Sequence, residues 1–113
     1  MKSHNNLFDM KYNLSEIMKL AWQFVKFNGF GMAEAMKQSW LHFKLKMRMK
    51  AGIVKFYFQK VNGDIREAYG TLCERLMPVT NGESRYCPTV QTYFDTEVQE
   101  FRRYKLANLL RIA

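Results

Sequence analysis

The period of the apolar pattern changes at Gly52, and this change restricts the chain to a helical part followed by a β part. Beyond it, Ile53-Val-Lys-Phe-Tyr-Phe-Gln-Lys60 is dense in β-branched and aromatic residues, which pack well on a pleated surface. Asn62-Gly63 follows, a dipeptide suited to a type I′ hairpin because both residues tolerate positive φ. The return strand is expected over Ile65 to Leu72, with Gly70 permitting the sharp bend or bulge that a small barrel needs. A punctuated loop from Met77 to Pro88 leads to a second hairpin pairing Thr89–Asp95 with Glu100–Leu106. Ala107 to Ile112 is expected to close the end as a short helical turn.

Upstream of Gly52 the pattern is helical. Asn13 suits an N-cap and Glu16, three residues on, completes a capping-box-like pair. The first helix then runs from Leu14 to about Asn28 and Gly29. Leu14, Ile17, Met18, Ala21, Phe24 and Val25 lie on one side of it, with Glu16, Lys19, Gln23 and Lys26 opposite. Its opening is repeated: Leu14 to Trp22 aligns with Met32 to Trp40, matching at Glu, Met, Lys and Trp. Two similar helices in tandem predict an αα-hairpin. On the second, Met36, Trp40, Phe43 and Met47 form the expected buried stripe, although Phe43 to Lys50 also alternates with a strand's period. The helix is expected to reach about Arg48. The chain thus reads as an α+β protein: a leader over 1–12, a helical hairpin over 13–50 and a small antiparallel barrel over 51–113.

With 48% hydrophobic and 15% aromatic residues in 113, the chain has the material for a packed core. No stretch approaches the roughly 20 consecutive apolar residues that span a bilayer. Two cysteines without an apolar secretory leader predict reduced thiols in a cytoplasm. The 18 basic residues outnumber the 10 acidic ones, giving a net charge of +8. That excess suits a polyanionic partner, or serves solubility alone. It is also uneven, because most of it falls before residue 51.

Three segments carry a family resemblance: Gly63-Asp-Ile-Arg-Glu-Ala-Tyr-Gly-Thr-Leu72, Thr89-Val-Gln-Thr-Tyr-Phe-Asp95 and Arg102-Arg-Tyr-Lys-Leu-Ala-Asn-Leu-Leu110. Over residues 50 to 113 the chain resembles the WYL-related family of Sm-like small β-barrels found in gut-bacterial phages and mobile elements. The resemblance implies an Sm-like, Src-homology-type barrel, binding of nucleic acid or a nucleotide-like ligand, and a bacterial host cytoplasm. The chain departs from the WYL pattern in lacking a Trp-Tyr-Leu tripeptide, and Arg85 is the only basic residue of the 77 to 88 loop.

Nucleic-acid binding requires cations to displace counterions from phosphates and aromatic rings on which unpaired bases stack. Lys37, Lys44 and Arg48 fall on one side of the second helix, where they either track a phosphate backbone or simply stay solvated. On the barrel, Arg103 and Lys105 are expected to point away from Tyr104 and Leu106, and Arg66 faces them if the hairpins are neighbours. Tyr57, Tyr69, Tyr93 and Tyr104 read more readily as part-buried barrel residues than as stacking platforms. Catalysis finds little support. His4 and His42 have no companion spacing for a metal, Cys73 and Cys87 have no histidine nearby in sequence, and the six glycines match no phosphate-cradling motif. The expectation is therefore a non-enzymatic protein without a cofactor, binding DNA or RNA through its phosphates. The alternative is a protein-interaction module or homo-oligomer using the adaptable surface of eight methionines and two tryptophans.

Overall fold

A computed structural model describes residues 14–78 and 87–113. The leader, the Asn13 cap and most of the 77 to 88 loop lie outside the described residues. The chain divides into two compact units, Met1–Lys44 and Leu45–Ala113.

The first unit contains helix α1 (Leu14–Asn28) and most of helix α2 (Met32–Ala51). Ile17, Leu20, Ala21 and Phe24 are the buried side of α1, whereas Leu14 and Met18 are exposed. Gly29, at φ 73, turns the chain out of α1, and the Phe30 amide donates back to the Phe24 carbonyl at 3.2 Å. Only glycine adopts this backbone without strain. On α2 the expected stripe needs correction: Ala35, Ser39 and His42 are buried, while Met36, Trp40, Phe43 and Met47 are each only part-buried. The two stripes share a helical period and differ by one residue, about 100° of rotation. Ser39 decides between them, because its hydroxyl donates to the Ile17 carbonyl at 2.7 Å, a contact that needs a short side chain facing α1. The repeat is real in three dimensions, since Ile17, Ala21 and Phe24 of α1 and Ala35, Ser39 and His42 of α2 are all buried.

The helix continues past Arg48 to Ala51 rather than giving way to a strand. Leu45 and Met49, four apart, are fully buried, and Lys44, Arg48 and Lys50 are exposed, so the helical period outweighs the alternation. Within the second unit, Thr71 holds the end of α2. Its hydroxyl lies 2.8 Å from the Gly52 carbonyl and 3.1 Å from that of Met49, and it accepts the Cys73 amide at 3.0 Å. Groups that a helix end leaves unpaired are thereby satisfied without water.

The β part is a five-stranded antiparallel sheet in the order β4-β3-β2-β1-β5. The strands are β1 (Ile53–Gln59), β2 (Ile65–Thr71), β3 (Val90–Asp95), β4 (Glu100–Lys105) and β5 (Leu109–Ile112). Two turns differ from expectation. Gly63 alone has positive φ between β1 and β2, with its amide donating to the Lys60 carbonyl and the Lys60 amide to Asp64. This is a three-residue loop with glycine in the left-handed position rather than a type I′ turn; Asn62 instead accepts the Asp64 amide at 3.0 Å. Only Leu106–Asn108 forms the expected helical turn, and the remainder is β5, paired with β1. Leu109 fills the core while Arg111 lies over the Tyr57 ring at 4.2 Å, which holds this short edge strand in place.

Three strand spacings separate β1 from β4 in this order, roughly 14 Å if the sheet were flat. The rings of Phe58 on β1 and Tyr104 on β4 nevertheless stack at 5.3 Å, and Phe56 meets Tyr93 at 5.2 Å. The sheet is therefore strongly coiled around an aromatic core, although no ladder joins β4 to β5 among the described residues.

Candidate anion-binding cleft

Coiling alone does not make a site; the short β2–β3 pairing does. Only Gly70↔Asp95 and Thr71↔Phe94 are paired, so the first half of β2 has a partner in β1 and none in β3. An open cleft of about 690 Å³ lies among this stretch of β2, the β1–β2 turn and β4. That volume is within the roughly 300–1,000 Å³ typical of ligand pockets. Lys60, Arg66, Arg102, Arg103, Tyr104 and Lys105 are among its lining residues.

Strand alternation assigns these side chains to two layers. Arg66 shares the inward face of β2 with Ala68 and Gly70, and Arg102 shares that of β4 with Tyr104. Both reach Asp95, whose side chain is 2% exposed. One oxygen, Oδ2, lies 3.7 Å from Arg66 and 4.0 Å from Arg102, and Oδ1 accepts the Glu97 and Val98 amides. Arg103 and Lys105 alternate outward and are exposed, as strand parity predicts. Burial holds the Tyr93 phenol at about 12, with Asp95 reinforcing the shift and Arg66 and Arg102 opposing it. The Tyr104 phenol is likewise pushed up, by burial first and by Tyr93 second.

Of the residues singled out from sequence, Arg66, Arg103 and Lys105 meet in this cleft. Arg66 needs one correction: it is only 27% exposed and shares a carboxylate with Arg102, so it is part of the floor rather than a free surface cation. Lys37, Lys44 and Arg48 are all exposed on α2. Arg48 lines a separate shallow depression with Lys55 and Ala113. Tyr93 and Tyr104 are buried, and Tyr57 and Tyr69 part-buried, so none of the four is an open stacking platform.

Sequence reasoning missed Lys60, Asp95 and the inward role of Arg102. One signal was available, because Asp95 and Arg102 have the same parity as the core tyrosines two residues away, and charges at such positions require partners. Outside the cleft, Glu67 pairs with Lys55 at 3.0 Å and accepts from Tyr57. Cys73 and Cys87 are not joined. Cys87 lies 3.3 Å from the Thr89 hydroxyl, which holds its thiol below the usual range, with a smaller contribution from Arg103. Among the described residues, no group of three His, Cys, Asp or Glu is placed to hold a metal, and no helix is long and apolar enough to cross a membrane.

A coiled five-stranded sheet with a cationic cleft beside its short β2–β3 seam defines a small-barrel binding domain. The chain belongs to the WYL_2 family, described as an Sm-like SH3 β-barrel fold, whose model matches residues 42–110. The match includes the last ten residues of α2, all of β1 to β4 and the first two residues of β5. No curated protein and no solved structure gave a match.

Proposed function

We propose that this chain is a nucleic-acid-binding accessory or regulatory protein of a phage or mobile element, acting in the host cytoplasm by binding rather than by turnover. One observation carries the reading: Lys60, Arg66, Arg102, Arg103 and Lys105 surround a single cleft. Asp95 is the carboxylate paired with the floor arginines, and Glu100 also reaches Arg102, at 3.8 Å. Positive charge so placed releases counterions from phosphates without reading base edges. The exposed Lys37, Lys44 and Arg48 are a second set of candidate phosphate contacts.

Fluorescence anisotropy with single- and double-stranded DNA and RNA across a salt series tests this. Affinity should fall linearly on a double-logarithmic salt plot. Arg103→Ala and Lys105→Ala should each reduce the slope by about 0.7 to 0.9. Absence of binding to any of the four at low salt sinks the proposal.

A specific feature supports the alternative, a protein-interaction or assembly module. Leu14, Met18, Trp22 and Phe27 are exposed on α1, with Trp22 at 52% and Phe27 at 74%. Leu14, Met18 and Trp22, each four residues apart, form one apolar stripe suited to a contact surface. Light scattering distinguishes self-assembly, which raises the mass above that of one chain.

A further inference from the structure

We propose that the floor of the cleft is a phosphomonoester site, which takes the terminal phosphate of a nucleoside monophosphate or of a nucleic-acid strand end. The inference rests on the nucleic-acid reading above and narrows it, from internal backbone phosphates to a terminal one.

The floor keeps buried donors whose acceptors are missing or too distant. Arg102 Nε and the Tyr104 hydroxyl are buried with no hydrogen-bond partner among the described residues, and both residues line the cleft, whereas the Tyr93 hydroxyl lies behind it, next to the Arg66 guanidinium. The carboxylates within reach are Glu100, 3.8 Å from Arg102, and Asp95, whose Oδ1 is already engaged by two backbone amides. Its Oδ2 is at ion-pair distance from both arginines, beyond hydrogen-bond range. Buried donors without acceptors are costly, and native interiors seldom retain several in one place. A ligand supplying several acceptor oxygens would complete the set.

Charge selects the kind of oxyanion. The two floor arginines face two carboxylates, Asp95 and Glu100, so the net positive charge around the cleft is that of Lys60, Arg103 and Lys105. A phosphomonoester brings nearly two negative charges and three acceptor oxygens at neutral pH. An internal diester brings one charge, and both of its ester arms must leave the cleft. The arginines are placed for the exchange, since Arg66 and Arg102 are 27% and 36% exposed and share one distant oxygen. Tyr104, a lining residue only 4% exposed, contributes one of the unsatisfied donors.

The test uses the full chain and one short single-stranded sequence in three forms: 5′-phosphorylated, 3′-phosphorylated, and hydroxylated at both ends. Calorimetry with adenosine monophosphate and with adenosine is run alongside. A strand-end site predicts about tenfold tighter binding of a phosphorylated form, the increment of one charge-assisted contact. A free-nucleotide site predicts that the monophosphate binds and adenosine does not. Either result supports the site and identifies its source. Arg66→Gln should lower the phosphorylated-to-hydroxyl ratio, and Tyr104→Phe, which keeps the packed ring, should lower it without risk to folding.

Equal binding of the three forms together with no response to the monophosphate overturns the inference. In that case salt-dependent binding of the hydroxylated strand preserves the backbone reading. Loss of that binding too removes both.

Discussion

Gly70 lies so close to Tyr93 that a Cβ built on it would be 2.5 Å from ring atom Cδ2 and 3.0 Å from Phe56 Cε1. Here β2, still paired with β1 through Val54, takes up its brief pairing with β3 through Asp95, and the sheet coils around the aromatic core. The glycine was expected to permit a bend. Its actual role is to leave room for a ring, at an unexceptional negative φ. Gly70→Ala should therefore destabilise the fold by about 1–3 kcal/mol, the usual cost of overpacking. The midpoint of urea unfolding measures it, and an unchanged midpoint would show that the core relaxes freely.

Thr71→Val should cost about 1–3 kcal/mol although it conserves shape. The fully buried hydroxyl serves the Gly52 and Met49 carbonyls and the Cys73 amide. Met49 retains the Leu72 amide at 2.9 Å, so the Gly52 carbonyl and the Cys73 amide suffer most. Thr71→Ser should recover most of the loss, which separates the hydrogen bonds from the packing.

Asp95→Asn removes the carboxylate that restrains Arg66 and Arg102 but leaves an oxygen for the Glu97 and Val98 amides. Anion affinity at low salt should rise about fivefold, the effect of roughly 1 kcal/mol of relieved competition near a protein surface. Stability should drop by about 1–3 kcal/mol, less than for a fully buried pair because both arginines are part-exposed. Anisotropy and denaturant unfolding on the same variant read the two opposing effects.

At alkaline pH the buried phenols set a limit. A tyrosine in the unfolded chain ionises near 10, whereas burial keeps Tyr93 protonated to about 12 and pushes Tyr104 up as well. The folded state then holds protons that the unfolded state releases. This contribution to stability is complete below about pH 10 and is lost as pH rises towards 12. Phenolate absorbance should show Tyr93 and Tyr104 titrating late, together with loss of the folded circular dichroism signal. Tyr93→Phe should remove one of the two.

Much of the architecture was legible because short-range periods decide it. The two helices, β1 to β4 and the outward parity of Arg103 and Lys105 follow from spacing alone, and the closing segment resembled its family closely enough to indicate a small barrel. The errors share a cause. Ala35 and Met36 both satisfy a helical period, and only the Ser39 contact to Ile17 selects the buried face. Leu109 to Ile112 has no intrinsic reason to be extended rather than helical until β1 offers it a partner. The formal charge pointed to the helical half, yet five cations line one cleft in the β unit, because strand pairing brings the β1–β2 turn, β2 and β4 together there.

Residue order by itself determined which segments are helix or strand and which faces are apolar, since those depend on neighbours a few positions apart. Only the tertiary structure decided that Arg66, Asp95 and Arg102, distant in sequence, share one floor. Their approach depends on how far a sheet can coil around Phe56, Phe58, Tyr93 and Tyr104. That is a property of packed volume, which no local pattern encodes.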